Sequence, residues 1–94
     1  MTQTKTKSKP LTINKATSQA AARVRAVMPG ELITVNTSRS WDMANDRPIL
    51  ATAVTFPPRH PAAGVARAAL LRMAGVLRAD VNPVTGYMTI VREA

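Results

Sequence analysis

The chain has 94 residues, enough for one small domain, and aromatic residues make up only 3% of it. It contains no cysteine, which excludes disulfides and thiolate metal sites, and no apolar run approaches the roughly 20 residues that span a bilayer. We therefore expect a soluble, cytoplasmic protein that lacks a signal peptide and builds its core from aliphatic side chains.

The net charge of +8 is concentrated toward the N-terminus. Residues 1 to 30 hold four lysines, Arg23 and Arg25 but no acid, which gives +6. Residues 31 to 94 hold seven arginines against five acids, which gives +2. A polyanionic partner would therefore meet the N-terminal third of the chain first.

Residues 1 to 11 are polar and rich in lysine, with Lys5, Lys7 and Lys9 followed by Pro10. Such a segment buries too little apolar surface to offset the entropy lost on ordering. We therefore predict a disordered lysine-rich arm over residues 1 to 11 and a single domain over residues 12 to 94.

The domain is predicted to start with an amphipathic helix. Apolar residues recur at intervals of three and four, and Thr12 or Asn14 can cap the first turn. Pro29 and Gly30 end the helix. The apolar stripe consists of Ile13, Ala16, Ala20, Val24 and Val27.

Alternating β-branched residues over 31 to 38 and 49 to 56 predict two antiparallel strands. The segment between them contains Asp42, Asn45 and Asp46, which favour turns, so we expect a hairpin with a long tip of about nine residues.

A second helix is predicted from Pro61 to Leu77, where apolar residues fall within one arc of the helix. Leu71 lies outside that arc, on the face that carries Arg67 and Arg78. Gly64 and Gly75 would permit close approach of another backbone. We therefore predict a homodimer through this face, in which Leu71 becomes buried.

The last segment contains the turn residues Asn82, Pro83 and Gly86, followed by an alternating stretch from Tyr87. A final hairpin or a single closing strand is expected. The predicted fold class is α+β: a small antiparallel sheet of three or four strands, with two helices on one face.

Catalytic chemistry has little support in the sequence. His60 is the only histidine, and the nearest acids in sequence are Asp46 and Asp80. Asp42 and Asp46 are interpreted as a turn neutralised by Arg39 and Arg47, because hard metal sites need more oxygen ligands. We expect no enzyme activity, no cofactor and no metal.

Trp41 is the residue most suited to recognition, because it combines a stacking plane with the neighbouring cations Arg39 and Arg47. The alternative is that its ring folds back over a core that is short of aromatic residues.

The resulting hypothesis is a small non-enzymatic accessory or regulatory protein that binds nucleic acid, with its small size pointing to a phage or mobile element. Lysines of the arm would make transient phosphate contacts, and arginines would make fixed ones. The predicted binding residues are Lys5, Lys7, Lys9, Lys15, Arg23, Arg25, Arg39 and Arg47.

Two alternatives remain open at this point. The lysines can serve solubility alone. The chain can also be a protein-interaction module, either an inhibitor of a host or defence complex or a virion component, that binds through an apolar patch around Trp41 or Leu71.

Overall fold

A computed structural model of the protein describes residues 11–94; the predicted arm, with Lys5, Lys7 and Lys9, lies outside the described residues except for Leu11. The described residues form an α+β fold, which confirms the predicted class. The elements in chain order are α1 (Ile13–Val27), β1 (Thr34–Asp42), β2 (Arg47–Thr55), α2 (Ala63–Leu71), β3 (Val76–Asn82) and β4 (Tyr87–Glu93).

The first helix begins and ends where its sequence predicts. The side chain of Thr12 accepts a 3.1 Å hydrogen bond from the backbone N–H of Lys15, which satisfies one of the free donors of the first turn. The N–H of Met28 bonds to the carbonyl of Val24, and Pro29 follows. Ala16, Ala20 and Val24 on the predicted stripe are buried.

The β1–β2 hairpin has a short turn, so the prediction of a tip of about nine residues is wrong. Asp42 Oδ1 accepts hydrogen bonds from the N–H groups of Ala44 and Asn45, at 3.2 and 3.4 Å. Asp46 takes a positive φ of 51°. These contacts confine the turn to residues 43–46 and let both strands extend, which places Trp41 on β1 rather than in a loop.

The second helix is shorter than predicted. It ends at Leu71, and Gly75 has a φ of +77°, which L-residues rarely adopt. The chain reverses there and continues as β3 from Val76. Arg78 therefore lies on a strand, and Gly75 is a turn residue rather than part of a helix face.

The closing segment forms a second hairpin, β3–β4. Asn82 Oδ1 accepts hydrogen bonds from Val84 N–H and Thr85 N–H, at 3.1 and 3.4 Å. Gly86 has a φ of +76° and its carbonyl accepts a 2.9 Å bond from Phe56 N–H, which ties this turn to the end of β2.

The four strands form one antiparallel sheet in the order β1-β2-β4-β3. Leu50, Thr52 and Val54 on β2 and Met88 and Ile90 on β4 are buried on the side that faces α1 and α2. We call this side, with the two helices, the helical face. The opposite side is the open sheet face, because none of the described helices covers it.

None of the helices within residues 11–94 is long and apolar enough to cross a membrane.

Candidate nucleic-acid interface

The three carboxylates of the strands all point to the open sheet face, where they pair with two arginines. Asp42 and Glu93 flank Arg47 at 3.8 and 3.4 Å, and Asp80 lies 3.3 Å from Arg78. Strand pairing places all five side chains on the side opposite Leu50, Thr52 and Val54 of β2. These five side chains carry a net charge of −1, so the face offers no positive potential to a polyanion.

The helical face carries cations without matching acids. None of its lysine or arginine side chains lies within 4.0 Å of a carboxylate among the described residues. The one acid near it, Glu31 in the α1–β1 connection, contacts His60 instead. The cations are Lys15, Arg23 and Arg25 on α1, Arg39 on β1, Arg67 on α2, Arg72 at its C-cap and Arg92 beneath the helices.

The cations of α1 surround a surface of small residues. Lys15, Ser18, Ala22 and Ala26 are exposed, and the helical repeat of 100° per residue directs all four away from the sheet. Arg23 and Arg25 are two positions apart in the chain, so they lie on opposite flanks of the helix.

Arg23 lies on the flank nearer α2. Its guanidinium donates a 3.2 Å hydrogen bond to the carbonyl of Ala69, in the last turn of α2. A cation is favourable there because the C-terminal carbonyls of a helix carry partial negative charge. Arg25 lies in the last turn of α1, where the same effect applies.

Arg39 and Trp41 lie at the end of the molecule where α1 begins. A short connection joins α1 to β1, so the two elements run in opposite directions, and Thr17 bonds to Thr37 at 2.7 Å. Arg39 and Trp41 follow Thr37 on the same side of β1. The structure therefore brings both residues close to the point where the N-terminal segment enters the domain.

Trp41 is 50% exposed, and its Nε1–H donates a 3.2 Å hydrogen bond to Asp46. The ring is thus neither free of contacts nor part of the main hydrophobic cluster. Arg47, which the sequence grouped with Trp41 and Arg39 as a binding cation, lies on the open sheet face between Asp42 and Glu93.

Leu71, the last residue of α2, is 39% exposed. One feature that supported a homodimer through its face is altered, because Gly75 lies in the turn after α2. The exposed Val65 adds apolar surface on the same helix. Dimerisation through Leu71 stays a prediction.

His60 has a different partner from the acids nearest in sequence. Its Nδ1 accepts a 3.0 Å hydrogen bond from the N–H of Ala62, so the ring proton sits on Nε2 and is donated to Glu31 at 2.9 Å. Both ring nitrogens are occupied in fixing the start of α2. No sequence signal links residues 31 and 60, which meet only through the fold.

Asp42 also has a structural role. Its pKa is held below the ordinary value of 3.8, chiefly by the hydrogen bond from the Asn45 side chain, with smaller contributions from the backbone N–H groups of Asn45 and Ala44 and from Arg47. No group of three potential metal-ligating side chains occurs within residues 11–94.

Sequence reasoning missed Arg92 altogether. Its side chain belongs to the helix-facing row of β4 and is 4% exposed. Alternation along β4 predicts that position 92 faces the helices, in line with Met88 and Ile90, but nothing in the local sequence marks an arginine there as buried.

No protein-family model matches this chain, and comparison with curated proteins and with solved structures found no significant match.

Proposed function

We propose that this chain is a small non-enzymatic accessory protein that binds nucleic acid through its helical face. The observation that carries the proposal is the separation of charge between the two faces. On the open sheet face three strand carboxylates pair with two arginines, whereas among residues 11–94 the cations of the helical face have no carboxylate within 4.0 Å. The resulting positive potential would attract a polyanion to one side of the molecule.

The shape of α1 favours duplex DNA as the partner. An α-helix fits the major groove of B-form DNA, whose edges are lined by phosphates. The outward surface of α1 has the small residues Ser18, Ala22 and Ala26, and its flanks carry Arg23 and Arg25. Such a helix can enter the groove with one cation directed at each phosphate strand. The major groove of A-form RNA is too narrow for this arrangement.

The N-terminal lysines and Arg39 would extend the contact along the phosphate backbone. Arg39 lies on the same end of the helical face as the start of α1. Lys5, Lys7 and Lys9 precede α1 in the chain and are accompanied by no acid. Contacts of this kind strengthen binding without reading the base sequence.

The proposal is tested by titrating the full chain against duplex DNA, duplex RNA and single-stranded DNA at several salt concentrations. If four to six phosphates of duplex DNA are contacted, log affinity should fall with log salt at a slope of about −3 to −5. Deleting residues 1–10 should reduce that slope by up to about three. Absence of binding to all three nucleic acids at low salt would overturn the proposal.

A second candidate function is recognition of a protein partner by the open sheet face. An open groove of about 650 Å³ lies there, and the exposed residues Met43 and Leu77 contribute to its lining together with Trp41 at the end of β1. Arg78 and Asp42 add charged groups at the same groove. Apolar contacts with a polar rim are typical of protein interfaces. If nucleic acid does not bind, this interaction module is the better account.

A further inference from the structure

Arg92 is a buried cation without a carboxylate partner. One guanidinium nitrogen donates a 2.8 Å hydrogen bond to Gln19 Oε1, and the other donates a 2.8 Å bond to the carbonyl of Ala74. Its Nε is buried and has no hydrogen-bond partner within residues 11–94. Uncharged acceptors therefore satisfy only part of the guanidinium, and its charge is not neutralised by any of the described residues.

The rest of the chain cannot readily supply the missing anion. Four of the five acids are already paired with arginine or histidine, and Asp46 accepts a bond from Trp41. Residues 1–10 contain no aspartate or glutamate. Burial, and secondarily the charge of Arg23, lowers the pKa of Arg92 below its ordinary range.

Arg92 lies in the wall of a groove that is open to solvent. The groove has a volume of about 430 Å³ and runs between α1 and the turn that follows α2. Gln19, Ala22 and Arg23 form the α1 side, and Met73 and Ala74 form the other side. Two arginines thus face one groove with no acid in its lining.

We propose that this groove binds one phosphate group, held by Arg92 and Arg23 with Gln19 as a further polar contact. A phosphate group would offset one guanidinium charge as a phosphodiester and up to two as a phosphomonoester, and it would accept hydrogen bonds from the remaining N–H groups. Arginine suits this task because its planar donors match the geometry of phosphate oxygens. The inference deepens the proposed function, because a nucleic-acid backbone is one source of such a group; a small phosphorylated molecule is the other.

The test uses inorganic phosphate and the full chain, at constant ionic strength in chloride buffer. We expect phosphate to raise the unfolding temperature and to shift the NMR signals of the Arg92 Nε–H and the Gln19 side-chain amide in a saturable way. Ala22→Glu places a carboxylate in the groove while keeping Arg92 and its hydrogen bonds. This variant should weaken phosphate binding by about tenfold or more.

Ala26→Glu is the matched control, because it makes the same charge change one turn further along α1 and outside the groove. It should retain phosphate binding within about twofold. The proposal is overturned if wild-type protein shows no saturable shift at these two side chains. It is also overturned if the two variants lose phosphate binding equally.

Duplex DNA then identifies the source of the phosphate. A loss of DNA affinity in Ala22→Glu well beyond that in Ala26→Glu assigns the groove to the nucleic-acid backbone. Equal losses assign it to a small phosphorylated molecule, provided that inorganic phosphate still distinguishes the variants. If wild-type protein binds phosphate in the groove but no nucleic acid, the phosphate site stands and the proposed function fails.

Discussion

The guanidinium of Arg92 donates a 2.8 Å hydrogen bond to the side-chain carbonyl of Gln19, which joins the last strand to the first helix across 73 positions of the chain. Gln19 is the only side chain of α1 that bonds to this buried cation in the described structure. The pair therefore links the buried guanidinium of β4 to α1, the helix that carries most of the proposed binding surface.

Removing the acceptor should destabilise the protein. Gln19→Ala is expected to lower the free energy of unfolding by about 1 to 3 kcal/mol, because a hydrogen bond to a buried charged group is lost. Ser18→Ala is the control: Ser18 is the exposed neighbour on α1, and its substitution should change stability by less than about 0.5 kcal/mol. Urea denaturation of the two variants measures both values, and equal small effects would show that the contact contributes little.

Replacing glycine by alanine should change the stability of the protein in opposite directions at Gly64 in α2 and at Gly86 in the β3–β4 turn. A Cβ at Gly86 would collide with the Phe56 carbonyl and lie 3.2 Å from the nitrogen of Pro58, at a φ of +76°. Gly86→Ala should therefore cost about 3 kcal/mol or more. Gly64 lies in α2 with open space around it, so Gly64→Ala should stabilise by up to about 1 kcal/mol. Thermal unfolding of both variants tests the pair, and a destabilised Gly64→Ala would contradict it.

Asp42 should contribute to the acid sensitivity of the fold. Because its pKa is lower in the folded protein than the ordinary 3.8, its contribution to stability is present above that value and is lost as the pH falls through the folded pKa. Asp42→Asn should thus be less stable than wild type at pH 6, and the difference should shrink below pH 4. Denaturant unfolding across this range provides the measurement; a difference that is independent of pH would exclude the carboxylate as its cause.

Trp41 should be a moderate contributor to stability. Its ring is half exposed, so Trp41→Ala should cost less than the roughly 3 to 5 kcal/mol typical of a buried aromatic. We expect about 1 to 2 kcal/mol, with Trp41→Phe retaining most of it because only the bond to Asp46 is lost. A loss above about 3 kcal/mol in chemical denaturation would favour the alternative in which the ring completes the core.

The elements with strong local signals could be predicted from the sequence. The apolar stripe of α1, its Thr12 cap and the Pro29 stop are encoded within one segment, and the structure bears them out. The end of α2 could not be predicted in this way, because Val76 and Leu77 continue the helical spacing by coincidence. The chain leaves the helix at Leu71 and reverses at Gly75, since β3 gains its hydrogen bonds by pairing with β4.

Only part of the candidate site could be predicted from the sequence. Arg23 and Arg25 stand out as cations on a helix, but their separation onto opposite flanks follows from the helical repeat once the buried side is known. From the sequence, Arg47 is predicted to be a binding residue. Strand pairing instead places it between Asp42 and Glu93. Arg92 meets Gln19 only because β4 lies in the middle of the sheet, beneath both helices.

The most direct measurement of the central proposal compares two double variants that remove the same charge from opposite faces. Arg23→Gln/Arg25→Gln should weaken binding to duplex DNA by at least about tenfold and reduce the magnitude of the salt slope by about 1.8, as expected for two lost phosphate contacts. Arg47→Gln/Arg78→Gln, on the open sheet face, should leave affinity within about twofold and the slope unchanged. Equal losses in the two variants, or a greater loss from the open sheet face, would contradict binding through the helical face.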